Sequence, residues 1–327
     1  MMEMITNAWA AQAITAAADL GVADALAKGP LTAEELAAAV GADADTLSRL
    51  LRALISRGIF RQRRDGRYDL TPLADTLRTD SEVSLAAMAR FVGSPLHREH
   101  WSHLTDAIRT GKAVIPALRG KSAFEYFADE PELGEIFDNA MTSGSELAIA
   151  SVTAAYDFSR YATIADVGGG RGRMLAAILG ATPQARGILF DLPQVVARAA
   201  ALLEKHRVAD RVQIVEGSFF DVVPEGGDAY LLKNVIHDWP DDDAVRILGN
   251  VRSAAGAGKH VLLVEFVIPG HNREFVGKWS DLEMLVGAAA RERTAAEYER
   301  LLERAGFRVT RVVETASPFS VVEATAI

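Results

Sequence analysis

The chain has 327 residues and a mass of 35.1 kDa, which is long enough for two domains. Hydrophobic residues make up 49% and charged residues 24%, the balance of an ordinary globular protein. The net charge of −9 argues against binding to the phosphate backbone of nucleic acids, because proteins that do so usually carry a basic face. The sequence has no cysteine, which excludes disulfides, thiolate metal ligands and cysteine nucleophiles. This leaves the compartment open, with a reducing cytosol as the default.

Neither a targeting segment nor a membrane span is predicted. The N-terminal stretch MMEMITNAWAAQAITAAADLG contains no basic leader and no long leucine-rich core, so it is not expected to act as a signal peptide. No apolar stretch is long enough to cross a bilayer. A cytoplasmic protein without a membrane partner is therefore expected.

Helical patterns dominate the N-terminal part of the chain. Residues 3–20 carry spaced apolar side chains in an alanine-rich background, which predicts a buried helix that ends at Gly21. Thr32 followed by Glu35 predicts a capping box at the start of a second helix, and Asp45 is expected to cap a third. These helices predict one compact N-terminal domain.

A short hairpin follows those helices. The segment IFRQRRDGRYDL predicts two strands around the Asp65-Gly66 turn, so residues 1–90 are expected to form a winged-helix unit. Basic side chains surround the hairpin at Arg61, Arg63, Arg64 and Arg67. They keep open the alternative of a regulator that contacts DNA phosphates, although the acidic total favours a merely solvated wing.

The remaining part of the chain, 91–327, predicts a doubly wound α/β domain. Residues 91–160 read as helical, and from about 163 short apolar runs alternate with helical segments. The runs are TIADV, RGILF, VQIVEG, AYLLKNV and HVLLVEFVI, with RVTRVVET and FSVVEATAI near the C-terminus. Alternating strands and helices predict a parallel sheet that is covered on both faces.

A glycine-rich turn follows the first strand of this domain and reads Asp166-Val167-Gly168-Gly169-Gly170-Arg171-Gly172. Glycine allows a tight turn and lets a ligand approach the main chain closely. The spacing is G-x-G-x-G rather than the dinucleotide pattern G-x-G-x-x-G, because Arg173 stands where the third glycine is needed. A dehydrogenase is therefore a poor fit, and a structural turn explains the glycines as well as a nucleotide site does.

Two further strand ends strengthen the nucleotide interpretation. Asp191 ends the second strand, about twenty residues beyond the glycines, where an acid can accept hydrogen bonds from ribose hydroxyls. Capping of the following helix is the alternative role for Asp191. At the end of the third strand, Ser218 and Phe219 could contact an adenine edge and face, although Phe219 could equally be part of the core.

A histidine and a glutamate end the next two strands. His237 lies just past AYLLKNV, and Glu265 lies near the end of HVLLVE, at the edge where ligands bind in open α/β sheets. Glu265 is expected to accept the Nδ1 proton of His237 and fix its tautomer, leaving the other nitrogen free to take a proton from a substrate hydroxyl. Each residue alone could be structural, and their combination favours a catalytic site.

Five segments occur in the order DVGGGRG, FDLP, LLKNVIHDWPDDDAVRIL, VEFVIP and RERTAAEYERLLERAGF. With these segments in this order, the chain resembles the small-molecule O-methyltransferases that use S-adenosylmethionine. That family includes plant caffeate-type and animal hydroxyindole-type enzymes and bacterial enzymes of antibiotic and phenazine pathways. The resemblance covers essentially the whole chain and implies a Rossmann-like methyltransferase domain and an N-terminal domain that dimerises. It also implies S-adenosylhomocysteine as the product of the donor, a small aromatic acceptor, a homodimer and no metal.

The resemblance also implies roles for individual residues. His237 would be the catalytic base, flanked by Glu265 and Glu292. The acceptor would contact Met141, Met284 and Trp101. The cofactor would be held by Asp166, Gly168, Gly170, Asp191, Leu192, Ser218, Phe219, Lys233, Asp238 and Trp239.

Two departures from the family pattern limit what it implies. Ser218 stands where many members have an acid, which weakens the assignment on the adenine side. The segment VGAAARE, at 286–292, lacks the Asn and Gly-Gly of plant members, so their acceptors are not transferred. A member that methylates nitrogen or carbon, or that keeps the cofactor for a different reaction, remains an alternative.

Overall fold

The computed structural model describes residues 1–81, 83–288 and 290–327. Contacts divide the chain into two compact units, the first made of Met1–His103 and Phe124–Glu146 and the second of Leu104–Ala123 and Leu147–Ile327. The predicted domain boundary at residue 90 stays a prediction. Within the described ranges, no helix is both long enough and apolar enough to span a bilayer.

The N-terminal elements are helices followed by a two-stranded hairpin. They are α1 (Met2–Asp19), α2 (Val22–Leu26), α3 (Ala33–Val40), α4 (Ala44–Ile55), β1 (Arg61–Gln62), β2 (Tyr68–Asp69), α5 (Pro72–Asp75), α6 (Ala86–Gly93) and α7 (Pro95–Ser102). The predicted hairpin is confirmed, since β1 and β2 pair antiparallel. The capping box of Thr32 and Glu35 is also confirmed. The predicted cap at Asp45 is wrong, because Asp43 accepts the backbone N–H of Thr46 at 2.9 Å.

The helix predicted over residues 3–20 is present as α1, but its predicted burial is wrong. Ile5 and Trp9 are 63% and 75% exposed, whereas the buried face carries Thr15, Ala17 and Ala18. Alanine allows close helix packing, so small residues form much of the inner face together with the partly buried Ile14, while Ile5 and Trp9 point outward.

Four helices connect the hairpin region to the sheet: α8 (Leu104–Thr110), α9 (Val114–Arg119), α10 (Ala123–Asp129) and α11 (Pro131–Ala155). The sheet strands and their helices then follow in chain order. They are β3 (Thr163–Val167), α12 (Arg173–Ala181), β4 (Arg186–Asp191), α13 (Pro193–Val196), α14 (Ala199–Lys205), β5 (Val212–Glu216), β6 (Ala229–Lys233), α15 (Asp241–Ala255), β7 (His260–Ile268), α16 (Gly277–Ala288), β8 (Arg293–Thr294), α17 (Ala295–Arg304), β9 (Phe307–Glu314) and β10 (Phe319–Ala326). Short 3₁₀ helices occupy Ala209–Arg211 and Ile236–Asp238.

The main sheet has the strand order β5-β4-β3-β6-β7-β10-β9, and β8 pairs with the end of β7. Strands β3 to β7 run parallel and β10 runs antiparallel between β7 and β9. The doubly wound fold predicted from the apolar runs is confirmed, and β8 is an addition to it. Because β3 has β4 on one side and β6 on the other, the strand order reverses beside it, and ligands bind at that point in such sheets.

Both faces of the sheet are covered by hydrophobic residues. Leu231 and Leu262 pack into a core with helices α11 and α12, whereas the next residue of each strand packs against α15 and α17. Successive residues of a strand point to opposite faces, so these buried strands are apolar at nearly every position. The two cores fix the carboxyl ends of β3, β4, β6 and β7 at one edge.

Candidate active site

The glycine turn after β3 has the backbone that its sequence predicts. Gly168 and Gly170 have φ values of 69° and 60°, in the left-handed region that favours glycine. A Cβ atom on Gly168 would lie 2.8 Å from Val235, and one on Gly169 would lie 2.6 Å from the carboxyl carbon of Asp166. The turn therefore depends on glycine at both positions and leaves main chain open to a ligand.

Asp191, at the end of β4, is tied to this turn. Its carboxylate accepts hydrogen bonds from the backbone N–H groups of Gly170, at 2.8 Å, and Leu192, at 2.7 Å. The capping role considered for Asp191 is wrong, because Leu192 is the N-cap residue of α13. Burial raises the pKa of Asp191, and these two hydrogen bonds oppose that effect.

Asp166, which is buried, and Lys233, which is partly buried, lie on the adjacent strands β3 and β6. Burial, together with the nearby charge of Asp191, raises the pKa of Asp166 to about 7. Among the described residues, the Oδ2 atom of Asp166 has no hydrogen-bond partner. Burial lowers the pKa of Lys233 to about 8, although Glu265 and Asp166 favour its charged form. A buried acceptor is thus available beside the glycine turn.

Aromatic side chains gather on the other side of the turn. The ring of Phe219 lies within 3.5 Å of a Cβ position on Gly168 and 6.0 Å from the ring of Trp239. Ser218 accepts the backbone N–H of Phe220 through its hydroxyl at 3.2 Å, and Leu192 is partly exposed. The structure therefore brings together the predicted cofactor residues from β3, β5 and the loop after β6.

The loop that carries His237 begins with an unusual backbone conformation. Asn234 has a φ of 52°, which asparagine tolerates better than most residues, and this ends β6. The turn directs the N–H groups of Val235 and Ile236 at the Oε1 atom of Glu265, at 3.2 and 2.9 Å. Glu265 therefore holds the backbone of the loop.

Glu292, rather than Glu265, forms the hydrogen bond with the imidazole. The Nδ1 atom of His237 donates to the Oε1 atom of Glu292 at 2.9 Å, whereas Glu265 lies 3.8 Å away. The predicted Nδ1 partner is corrected accordingly, because the nearer carboxylate oxygen of Glu265, Oε2, lies beyond hydrogen-bond distance, and its Oε1 atom accepts from the backbone. Ser280 on α16 donates to the same oxygen of Glu292 at 2.7 Å, and Asp281 accepts the backbone N–H of Glu292.

The charges around His237 favour its protonated form. Burial lowers the pKa of His237, but the carboxylates of Asp238, Glu265 and Glu292 outweigh burial and raise it to about 10. Burial raises the pKa of Glu265 to about 7, and it also raises that of Asp238. The Nε2 atom lies 3.4 Å from Asp238, on the side away from Glu292.

The same residues have the spacing of a metal site. Ligand atoms of His237, Glu265 and Glu292 all lie within 4.8 Å of one another. However, the 2.9 Å between the Nδ1 atom of His237 and the Oε1 atom of Glu292 is the distance of a direct hydrogen bond. The geometry therefore suits an acid–base pair.

The predicted acceptor residues are distributed over both units. Met284 lies on α16, in the same unit as His237, with its side chain partly exposed. Trp101 on α7 and Met141 on α11 belong to the first unit, so their role stays a prediction. Ser280, Asp281 and Arg293 were missed by sequence reasoning, and only their closeness to Met284 and Glu292 in the sequence could have drawn attention to them.

Comparison with known proteins gives the family. Residues 101–308 match the O-methyltransferase domain, and residues 2–80 match the O-methyltransferase dimerisation domain. The chain belongs to the O-methyltransferase family. The predicted S-adenosylmethionine-dependent O-methyltransferase is confirmed, and the comparisons give no support to the DNA-binding alternative. In the described hairpin, Arg61 and Arg67 form ion pairs with Asp69 and Glu35.

Related methyltransferases act on both oxygen and nitrogen. Phenazine O-methyltransferase PhzM of Lysobacter antibioticus is 41% identical over 324 residues, 99% of this chain and 95% of its own. The mitomycin biosynthesis 6-O-methyltransferase of Streptomyces lavendulae is 40% identical, covering 98% and 92%. The 8-amino-8-demethylriboflavin N,N-dimethyltransferase of Streptomyces davaonensis is 37% identical, covering 94% and 89%.

Solved structures resemble this methyltransferase over nearly its full length. The crystal structure of LaPhzM has a TM-score of 0.93 and 41% identity, covering 100% of this chain and 98% of that one. An O-methyltransferase from neocarzinostatin biosynthesis, solved with S-adenosylmethionine and 2-hydroxy-5-methyl naphthoic acid, has a TM-score of 0.79 and 36% identity, covering 97% and 96%. The predicted cofactor is confirmed by this family membership.

Proposed function

We propose that this methyltransferase transfers a methyl group to a hydroxyl, preferably phenolic, of a small aromatic metabolite, with His237 as the general base. The observation that carries the proposal is the 2.9 Å contact between the Nδ1 atom of His237 and Glu292. With Nδ1 committed as a donor, the Nε2 atom is the nitrogen that remains to accept a proton. A positioned base of this kind typically contributes about 10²–10⁴-fold to a reaction rate.

The residues around the glycine turn fit S-adenosylmethionine. A side chain on Gly168 would collide with Val235 and fill the space beside the turn. Among the described residues, the buried Oδ2 atom of Asp166 has no hydrogen-bond partner. Gly168, Gly170 and Asp166 would hold the methionine end, and Asp191 would hold the ribose. Phe219 would contact the adenine, with Ser218 at its edge. The remaining neighbours of the cofactor would be Leu192, Lys233, Asp238 and Trp239.

When bound, S-adenosylmethionine supplies a methyl group on a positively charged sulfur, which is already activated for transfer. The protein must then position an acceptor oxygen and remove its proton. Correct positioning alone is worth roughly 7–11 kcal/mol in well-oriented reactions. A phenol has a pKa near 10 and is mostly protonated at neutral pH, so the base has a defined task.

The carboxylates around His237 make its imidazole a strong base. In the protein alone, a pKa of about 10 keeps His237 protonated at neutral pH. A second positive charge bound in this pocket lowers that pKa, because like charges disfavour the protonated form. The imidazole can then accept the acceptor's proton, and Glu292 and Glu265 stabilise the imidazolium that results.

An aromatic acceptor is supported by two relatives whose names give phenazine acceptors. Met284, Met141 and Trp101 are the residues we assign to acceptor contact. Nitrogen acceptors are the second candidate, because a 37% identical relative is an N,N-dimethyltransferase. Nitrogen is often nucleophilic without prior loss of a proton, so the two acceptor classes differ in their need for His237.

A homodimer is part of the proposal. Residues 2–80 match a dimerisation domain, and Met4, Ile5 and Trp9 expose apolar side chains on one helix of that region. Exposed apolar side chains grouped on one element are typical of a surface that a partner covers. Light scattering in solution tests this directly, and a monomeric mass would contradict it.

The experiment that tests the function is a screen of phenolic and arylamine acceptors with labelled cofactor, followed by mass analysis of the product. We then compare His237→Ala with His260→Ala, which alters a histidine at the amino end of β7. His237→Ala should lower kcat for a phenol by about 10²–10⁴-fold without weakening cofactor binding. Wild-type turnover of His237→Ala with an active phenol would remove His237 from the mechanism.

A further inference from the structure

Arg293 is a fully buried arginine next to the candidate base. Its side chain is 1% exposed, and it is the largest side chain among the fully buried residues that the structure describes. A buried guanidinium is costly unless its donors are well paired, and apolar residues often stabilise an interior equally well. Arg293 therefore calls for an explanation beyond stability.

The donors of Arg293 contact the loop on both sides of His237. Its Nη1 atom donates to the carbonyl of Ile236 at 2.9 Å, and its Nη2 atom donates to the carbonyl of Trp239 at 2.9 Å. The Nη2 and Nε atoms also donate to Asp241, at 2.7 and 3.1 Å. One planar group thus fixes three points of the chain around the base.

The neighbours of Arg293 complete this contact from the same short segment. Glu292 accepts from the Nδ1 atom of His237, and the backbone N–H of Arg291 donates to the carbonyl of His237 at 3.0 Å. Glu292 directly precedes β8, which begins at Arg293, and side chains of successive residues in extended backbone point in opposite directions. Glu292 can therefore bind the imidazole while Arg293 binds the backbone that carries it.

We propose that Arg293 is a positioning residue that fixes the direction in which the imidazole of His237 points. Hydrogen bonds to Ile236 and Trp239 bracket the two residues His237 and Asp238, and this sets where the Nε2 atom lies. The inference rests on the function proposed for His237. A lysine cannot reproduce it, because its point charge lacks the planar set of donors that spans several acceptors.

The test compares Arg293→Lys with Arg211→Lys. Arg211 is a matched control, because its guanidinium also donates to several backbone carbonyls, those of Leu179, Thr182, Pro183 and Ala185. It precedes β5, at the edge of the sheet away from His237. For each variant we measure Tm, cofactor Kd, kcat, the KM of a phenolic acceptor and the pH profile of kcat/KM.

Arg293→Lys should lower kcat by roughly 10–100-fold, since a displacement of about 1 Å can have that effect, with KM and cofactor Kd close to those of the wild type. The loosened contact to Glu292 should also move the rising limb of the pH profile to lower pH. Arg211→Lys should change Tm alone. If Arg293→Lys does not fold, Asp241→Asn weakens the same contact from the surface and should shift the pH profile in the same direction.

Arg293→Lys with the wild-type kcat and pH profile, whatever its Tm, would overturn the proposal. The variant His237→Ala distinguishes failure of this positioning proposal from failure of the proposed function. If His237→Ala is inactive and Arg293→Lys behaves as Arg211→Lys does, only the positioning role is lost. If His237→Ala is fully active, the base assignment itself is wrong.

Discussion

Each end of the parallel sheet has a histidine close to buried acid groups, one acid at the amino end and two at the carboxyl end, and their surroundings differ. At the amino end, Glu323 accepts hydrogen bonds from Tyr156, at 2.7 Å, and from Arg311, at 2.8 Å, and Arg160 lies 3.5 Å away. Burial raises the pKa of Glu323, but these partners lower it below its usual value. Burial also lowers the pKa of the nearby His260.

At the carboxyl end, the acids are less completely paired. Among the described residues, the Oε2 atoms of Glu265 and Glu292 have no hydrogen-bond partner. The pKa of Glu265 is about 7 and that of His237 about 10, so both groups are displaced from their usual values. Such displacement is common where groups exchange protons. In our proposal, the buried acid at the amino end stabilises the fold, whereas the acids at the carboxyl end prepare the imidazole of His237 for proton transfer.

The largest expected effect comes from Glu292→Gln. The amide cannot supply the negative charge that favours the imidazolium, so kcat for a phenol should fall by about 10²–10⁴-fold while cofactor Kd stays close to wild type. Glu323→Gln serves as the control and should leave kcat unchanged. Steady-state kinetics on both variants check this prediction. Equal losses of kcat in the two variants would contradict the proposed difference between the two ends of the sheet.

A second prediction concerns stability against pH. The pKa of His237 is about 10 in the folded protein and about 6.5 in the unfolded chain. The contribution of His237 to the free energy of unfolding is therefore fully present below pH 6.5 and is lost as the pH rises through 10. Between pH 7 and 9, wild-type stability should fall by about 1.4 kcal/mol per pH unit more than that of His237→Gln. Urea unfolding measures both slopes, and parallel curves would refute the prediction.

Glu323→Gln should lower the free energy of unfolding and leave kcat unchanged. Hydrogen bonds to a charged acceptor contribute about 1.5–3 kcal/mol, and the side chain of Glu323 is almost fully buried. The free energy of unfolding should therefore fall by about that amount. Urea unfolding with kinetics at a permissive temperature tests it. A large drop in kcat in protein that is fully folded would show that the amino end also supports catalysis.

The smallest effect is expected for Tyr156→Phe. The change removes the hydroxyl that donates to Glu323 and also contacts Tyr161 at 2.7 Å. Because Arg311 still pairs with Glu323, the loss of stability should be about 1 kcal/mol, with kcat unchanged. Thermal unfolding checks it, and a loss larger than that of Glu323→Gln would place Tyr156, not the acid, at the centre of this cluster.

The fold could be predicted from sequence more fully than the site. Apolar runs bounded by glycine and proline identify buried strands, and the order of strands and helices then fixes which ends share an edge. The outward face of α1 could not be predicted, because apolar side chains such as Trp9 occur around the helix and their spacing selects no face.

Within the site, the residues at strand ends could be predicted, but their pairing could not. Glu265 and Glu292 both reach the edge that carries His237, and only their distances from Nδ1 in the folded protein, 3.8 Å and 2.9 Å, decide which one binds the imidazole. Arg293 could not be predicted for a related reason. Three of its partners, at Ile236, Trp239 and Arg291, are backbone carbonyls, which a sequence does not display.

The most direct test titrates His237 and His260 together by NMR in one cofactor-free sample labelled with ¹⁵N-histidine, with alanine variants to assign the signals. We expect His237 to titrate well above pH 6.5, near 10, and to move downward in Glu292→Gln, while His260 titrates below 6.5 in both proteins. A midpoint for His237 at or below 6.5, unchanged in Glu292→Gln, would contradict the claim that the carboxylates at this end prepare the imidazole for proton transfer.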